Sequence, residues 1–400
     1  MTKPKLEVAD VFRSLDASFV AALPAAQRRV VDDIVACRTA ALGGHVEQCD
    51  QCGYRQIAYN SCRNRHCAKC QAAARAEWME ARAEELLPCE YFHVVFTLPE
   101  QLSPLALQNK RIIYNLLFKA ASETLLEIAA DPQHLGAQIG FFAVLHTWGQ
   151  TLQVHPHLHC VVPGGGLSAD NSQWIACRPS FFLPVKVLSR LFRGKFVAFL
   201  SEARKQDQLT YAGQLSALAE AEEFNRWLRE LSRIEWVVYA KPPFGGPQQV
   251  LKYLARYTHR VAISNGRLLE LDDDKVTFSY KDYAAGNATK TLTLGVQEFT
   301  RRYLLHVLPR GFVRIRYYGF LANCRRAEML ELCRRLLPAA KTDPESVNEV
   351  QPDGDQSDLS SAPKTCPSCG QGKMVIVEEI MGSRHPNGSM EFPPPTTDTS

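Results

Sequence analysis

No uncharged apolar run in this 400-residue chain is long enough to span a bilayer, and its start, Met1-Thr2-Lys3-Pro4-Lys5-Leu6-Glu7, lacks an apolar signal core. These absences argue against membrane-spanning helices and a secretory leader, so the expectation is a cytoplasmic protein with no membrane partner. A Walker phosphate loop is also missing, which argues against a fused helicase. What is present is ordinary for a soluble chain: 46% hydrophobic and 9% aromatic residues can bury a sizeable core across two or three domains. The 13 cysteines are an odd count clustered in C-x-x-C pairs, which suits reduced thiols and metal sites better than a secreted disulfide frame.

The most informative stretch is His146 to His159, HTWGQTLQVHPHLH. His157-Leu158-His159 lies in an alternating run that continues through Cys160-Val161-Val162 until Pro163-Gly164-Gly165-Gly166 stops it. Period-2 geometry sends both imidazoles to one strand face, about 7 Å apart at the backbone, where they can share a metal ion. Leu158 points the other way, into the core. His146 ends an earlier apolar run, Phe141 to Leu145, and a hairpin centred near Thr151 and Leu152 sets it directly opposite His157. Gln150 and His155 are local competitors for the third ligand position.

About a hundred residues on, a breaker run from Pro242 to Pro247 precedes Lys252-Tyr253-Leu254-Ala255-Arg256-Tyr257. Pro247 suits the first turn of a helix, on which Tyr253 and Tyr257 are i and i+4 neighbours. Lys252, Arg256 and Arg260 interleave with them as a phosphate-facing surface. The net charge of only +4 hides an asymmetry. From Lys241 to Arg335 there are 17 Lys and Arg against 8 Asp and Glu, a surplus of nine positive charges; from Thr342 to Ser400 there are 3 against 10, a deficit of seven. The basic, aromatic-rich segment reads as a nucleic-acid surface.

The N-terminal region carries Cys49-x-x-Cys52, fourteen further residues, and Cys67-x-x-Cys70. Two such knuckles supply four thiolates for one tetrahedral Zn²⁺, with His45, Cys62 and His66 as nearby competitors. Arg63, Arg65, Lys69 and Arg75 surround the second knuckle and suit a DNA grip. Cys366-x-x-Cys369 is a half-knuckle with no second pair after it, and its ligand partners stay open.

Between these landmarks the coarse element order is strand (91–98), helix (104–130), strand (139–147), strand (158–162), helix (184–204), strand (236–240), that is β-α-β-β-α-β. The fold class expected is α+β: an antiparallel sheet in the split β-α-β arrangement, flanked by helices, after an N-terminal helical and zinc-knuckle domain. Further strands are expected at 260–264, 268–271, 275–280, 291–294 and 313–317, with helices at 296–307 and 325–337. Residues 342–364, rich in Asp, Ser, Pro and Gln, read as a disordered linker. The expected domains are 15–88 for zinc and DNA binding, 89–338 for catalysis, and 342–400 as an acidic, largely disordered tail.

His157-Leu158-His159 together with Tyr253-x-x-x-Tyr257 resembles the HUH endonuclease superfamily. The wording HPHLHCVVPGGG and YLARYTHRVAISNGR is similar to bacterial rolling-circle insertion-sequence transposases with two catalytic tyrosines, over about Val35 to Arg335. The resemblance implies the HUH endonuclease core, an N-terminal zinc-binding domain, catalytic Tyr253 and Tyr257, and rolling-circle strand transfer. It also bears on the third ligand, since relaxases resembling this site take that histidine from an upstream neighbour, as His146 is, and some smaller relatives take it from the tyrosine helix. The chemistry expected is attack by a tyrosine phenol on a phosphate polarised by a divalent cation, Mg²⁺ or Mn²⁺, held by His157, His159 and His146. The product is a covalent 5′-phosphotyrosine and a free 3′-hydroxyl on single-stranded DNA. A plasmid relaxase or replication initiator uses the same chemistry, a catalytically silent DNA-binding protein uses none, and a zinc hydrolase would be indifferent to both tyrosines.

Overall fold

The computed structural model describes residues 6–241, 262–283, 285–337 and 365–383, with the backbone alone for 72–77. The chain begins with helices α1 (Val8–Arg13), α2 (Ala17–Ala22) and α3 (Ala25–Ala36), the hairpin β1 (Gly44–Cys49) and β2 (Arg55–Tyr59), and α4 (Ala68–Ala83). Next come β3 (Tyr91–Thr97), α5 (Ser103–Gln108), α6 (Lys110–Ala130), β4 (Gly140–Trp148), β5 (Val154–Pro163), the short pair β6 (Gly165–Leu167) and β7 (Trp174–Ala176), α7 (Val185–Lys205), α8 (Ala221–Arg233) and β8 (Val238–Lys241). The rest is β9 (Leu268–Asp272), β10 (Lys275–Asp282), β11 (Ala288–Gly295), α9 (Val296–Leu305), β12 (Ile315–Gly319), α10 (Arg326–Leu336) and β13 (Met374–Ile380).

Among the described residues two compact units form, one from 6–77, 262–307 and 365–383, the other from 78–241 and 308–337. These units cut across the ranges expected from sequence. The segment 262–307 packs with the N-terminal module because its aromatics are buried there. Phe12 meets Tyr303 edge-on at 5.3 Å, the Tyr303 hydroxyl donates to the His66 carbonyl, and Asn265 Oδ1 accepts from the Val8 amide at 3.1 Å. The C-terminal residues join the same unit through β13, which adds to β1. Ala262 to Ser264, expected to lie in a strand, do not, and Ala262 takes a left-handed backbone at φ 56°. Residues 342–364 lie outside the described residues.

The second unit is built on a five-stranded antiparallel sheet in the order β12-β4-β5-β3-β8. Strand β5 lies between β3 and β4, so the β3-to-β4 connection through α5 and α6 steps over one strand. The helix expected over 104–130 is divided at Asn109. Its backbone leaves the helical region (φ −118°, ψ 42°), while its side chain donates to Thr210 O at 2.9 Å and accepts from Thr210 N at 2.7 Å.

Alternation decides which residues meet the core. Phe92, Val94 and Phe96 of β3, Phe141, Ala143 and Leu145 of β4, and Leu158, Cys160 and Val162 of β5 share one cluster with the buried faces of α6 and α7. Leu188, Phe192, Phe196 and Leu200 recur every four residues along α7, so one stripe faces the sheet. The opposite sheet face is thinner, with Tyr91, Phe142, Val144 and Val161 packed against Trp78 and Tyr317. That thinner face carries the histidines. No helix among the described residues is long and apolar enough to cross a membrane.

Candidate metal centre and zinc module

Strand pairing sets His146 directly against His157 and Val144 against His159. Three imidazoles therefore project from two adjacent strands onto one face. Their ring centroids lie 5.3 Å (146 to 157), 4.3 Å (146 to 159) and 4.8 Å (157 to 159) apart, and one ring nitrogen from each falls within 4.8 Å of the others. The hairpin turn that creates this register closes with Gly149 N to Gln153 O at 2.9 Å, and Leu152 takes φ 63° at its tip. Cation-binding donor sets require neutral imidazoles. Burial supplies them, pushing His157 down to about 3 and His159 well below its ordinary value.

Two further contacts orient the rings. His157 Nδ1 lies 2.6 Å from the His155 carbonyl, which can only accept, so Nδ1 carries the proton and Nε2 keeps its lone pair. His159 Nδ1 lies 2.7 Å from Nε2 of His93 in β3, and the two rings stack at 4.9 Å with an 8° tilt. If His159 presents Nε2 to a cation, its Nδ1–H donates to His93, an orienting partner of the kind that metal-bound histidines ordinarily have. Burial pushes His93 down to about 4, which keeps it neutral and able to accept. Trp148 stacks on His146 at 4.5 Å and limits where that ring can turn. This donor set fits one divalent cation. Of the two competing residues, His155 contributes its carbonyl to orientation, and its own ring is not part of the cluster.

Sequence reasoning missed His93. The signal was its place in a strand read correctly as β3, but only the neighbour relation of β3 and β5 brings it to His159, with Val95 opposite His159 and His93 two residues further along that face. Tyr253, Tyr257, Lys252, Arg256 and Arg260 lie outside the described residues.

The expected zinc ligand set is corrected. Cys67 and Cys70 group with Cys37 and Cys62, not with Cys49 and Cys52. The Sγ atoms of Cys37 and Cys62 each lie 3.6 Å from Cys70 Sγ. The reason is the β1–β2 hairpin. Cys49 ends β1 at the hairpin tip, roughly 16 Å along a strand of this length from its base, whereas α4 opens beside the base, where Cys37 leaves α3 and Cys62 follows β2. His66 and His45, the other competitors, are held elsewhere: the His66 ring sits 3.0 Å from Asn64 Oδ1 and His45 3.3 Å from Glu47. Arg63 is exposed and Arg65 half-buried beside this cluster.

Comparison with known proteins gives these sites a context. A transposase zinc-binding domain family matches residues 9–98, and a family described as "Putative transposase" matches residues 140–328. A Sinorhizobium fredii protein with that same description, y4qJ, is 55% identical over 391 residues, covering 96% of this chain and 98% of its own. The transposase for insertion sequence element IS801 of Pseudomonas savastanoi pv. phaseolicola is 28% identical over 355 residues, covering 88% of this chain and 83% of its own. No solved structure matches. With a near full-length relative at 55% identity and both domain matches in order, the chain belongs to the IS91/IS801 family of insertion-sequence transposases.

Proposed function

We propose that this transposase nicks and rejoins single-stranded DNA through a covalent 5′-phosphotyrosine, in the manner of an HUH endonuclease driving rolling-circle transposition. The observation that carries the reading is the convergence of His146, His157 and His159 on one sheet face, each pinned by a neighbour. Strand β5 inserted between β3 and β4 agrees with the split arrangement of that endonuclease class.

A divalent cation at the three imidazoles, Mg²⁺ or Mn²⁺, would draw charge from a phosphate oxygen and make the phosphorus easier to attack. The chain itself supplies the rest. Tyr253 or Tyr257 gives up its phenolic proton to solvent or a nearby base and bonds to phosphorus, and the 3′-oxygen leaves with the electron pair of the broken P–O bond. One phosphodiester becomes another, so no nucleotide cofactor is consumed. The free 3′-hydroxyl reverses the step on rejoining. Two phenols four residues apart in the sequence allow one to hold an end while the other cleaves. Lys252, Arg256 and Arg260, with Arg63 and Arg65 of the zinc module, are the proposed backbone contacts, and each neutralised phosphate adds salt dependence.

The test uses end-labelled single strands carrying the element's termini, incubated with full-length protein and Mn²⁺. The expected result is a denaturation-resistant adduct that disappears in the Tyr253→Phe, Tyr257→Phe double variant and in His157→Ala, while both variants still bind the strand. An adduct that survives loss of both tyrosines, or no adduct from any terminal sequence, would overturn the proposal. In the second case a silent DNA-binding role is what remains.

A further inference from the structure

The half-knuckle Cys366-x-x-Cys369 does not stand alone. From its geometry we infer that Cys49, Cys52, Cys366 and Cys369 form a second tetrathiolate Zn²⁺ site, which staples the C-terminal segment onto the N-terminal module. The four sulfurs lie within 4.8 Å of one another, with Cys49 to Cys369 at 3.7 Å and Cys52 to Cys366 at 3.6 Å. Tetrahedral sulfurs at the ordinary Zn–S distance of about 2.3 Å sit about 3.8 Å apart. A disulfide would need about 2.05 Å.

Both halves are built alike. Each is a C-x-x-C-G turn whose glycine takes a left-handed backbone, Gly53 at φ 72° and Gly370 at φ 71°. In each, the glycine amide bonds back to the first cysteine's carbonyl, Gly53 to Cys49 at 3.2 Å and Gly370 to Cys366 at 2.9 Å. Backbone N–H groups aim at the sulfurs in both: Gln51 and Cys52 at Cys49 Sγ (3.4 Å each), Ser368 at Cys366 Sγ (3.4 Å), and Gly372 at Cys369 Sγ (3.3 Å). These donors favour thiolate over thiol, the form a cation requires. A Cβ on Gly372 would lie 2.3 Å from Cys49 Sγ, so only glycine lets the backbone pass there.

The packing also calls for a cation. Strand β13 pairs with β1 from Gly44↔Ile380 to Cys49↔Met374. Yet Val375, Ile376 and Val377 are exposed, and among the described residues the buried cluster that joins the two segments is Cys49, Cys366 and Met374. Such a strand buries too little apolar surface to offset the entropy of ordering it. A cation gripped by two knuckles 314 residues apart in sequence holds it without a core. The zinc-binding family match ends at residue 98, well short of this segment.

Native mass spectrometry of the full chain, purified under reducing conditions with Zn²⁺, tests this independently of DNA cleavage. The Cys366→Ser, Cys369→Ser variant should carry one Zn²⁺ fewer than the parent, and Cys369→His should restore the count. Should the double variant fail to fold, Co²⁺ titration of the apo parent serves instead. The thiolate-to-Co²⁺ charge-transfer band should rise through two equivalents before it levels. Amide exchange of residues 374–380 should lose protection on chelation. An unchanged zinc count in the double variant, a charge-transfer band that levels after one equivalent, or a parent mass two hydrogens short with no zinc at this site would overturn the inference.

Discussion

Replacing His93 probes the proposed metal centre without touching any of its three candidate ligands. His93 Nε2 lies 2.7 Å from His159 Nδ1, placed to accept from Nδ1–H when His159 presents Nε2 to a cation, and the pair lies in the buried part of the sheet face. In His93→Ala the His159 ring loses the contact that selects its tautomer and aims Nε2. Orienting partners of this kind are worth about 10–100-fold in metal affinity, or about 1.4–2.8 kcal/mol. Stability should fall too, because a buried donor left unmatched costs about 1–3 kcal/mol. His93→Gln separates the two effects, since a carbonyl oxygen can still accept from Nδ1–H. Calorimetric titration of each variant with Mn²⁺ should show the large loss in the alanine variant and most of the affinity retained in the glutamine variant, with urea midpoints recorded alongside. Equal affinity in parent and His93→Ala would refute the orienting role. Equal loss in both variants would reduce His93 to packing.

Three further outcomes follow from the same structure. Because burial holds His93 near 4 and His157 near 3 while unfolded histidine titrates near 6.5, the unfolded chain binds more protons between those values. The associated stability is present above about pH 6.5 and lost as pH falls toward 4; urea midpoints of metal-free protein should drop across that window, less steeply in His93→Gln, and matching slopes would contradict the assignment. Gly319 ends β12 at φ 60°, and a Cβ there would lie 1.8 Å from the Ile139 carbonyl oxygen. Gly319→Ala should cost at least about 1–3 kcal/mol, and an unchanged melting temperature would refute the register of β12 on β4. Leu158 is fully buried between two half- or fully buried histidines that face the other way; Leu158→Ala should cost about 2–5 kcal/mol and His157→Ala much less, and equal losses in urea would contradict the strand's alternation.

Much of the centre was legible because it rests on local rules. Period-2 alternation put His157 and His159 on one face and Leu158 on the other, and a hairpin between two apolar runs was enough to set His146 against His157. The helices α6 and α7 and the order of these elements along the chain followed from apolar spacing and breakers, apart from the interruption at Asn109, whose side chain bonds to the Thr210 backbone. Harder to see was anything requiring two distant segments to be neighbours. The spacing Cys49-x-x-Cys52 to Cys67-x-x-Cys70 suggests one site. It fails because a hairpin stands between the pairs and carries the first to its far end.

The sequence by itself determined the short-range geometry: which side chains share a strand face, where helices start and stop, and that cysteine pairs make knuckles. All of these follow from backbone periodicity and steric limits within a few residues. Only the tertiary structure decided which knuckle meets which, that Cys37 and Cys62 complete the first thiolate cluster, that Cys366 and Cys369 return to Cys49 and Cys52, and that His93 backs His159. Those pairings depend on how sheets order their strands and where hairpins end. The energies that choose among such arrangements come from burial and ligation summed over the whole unit, which no local window contains.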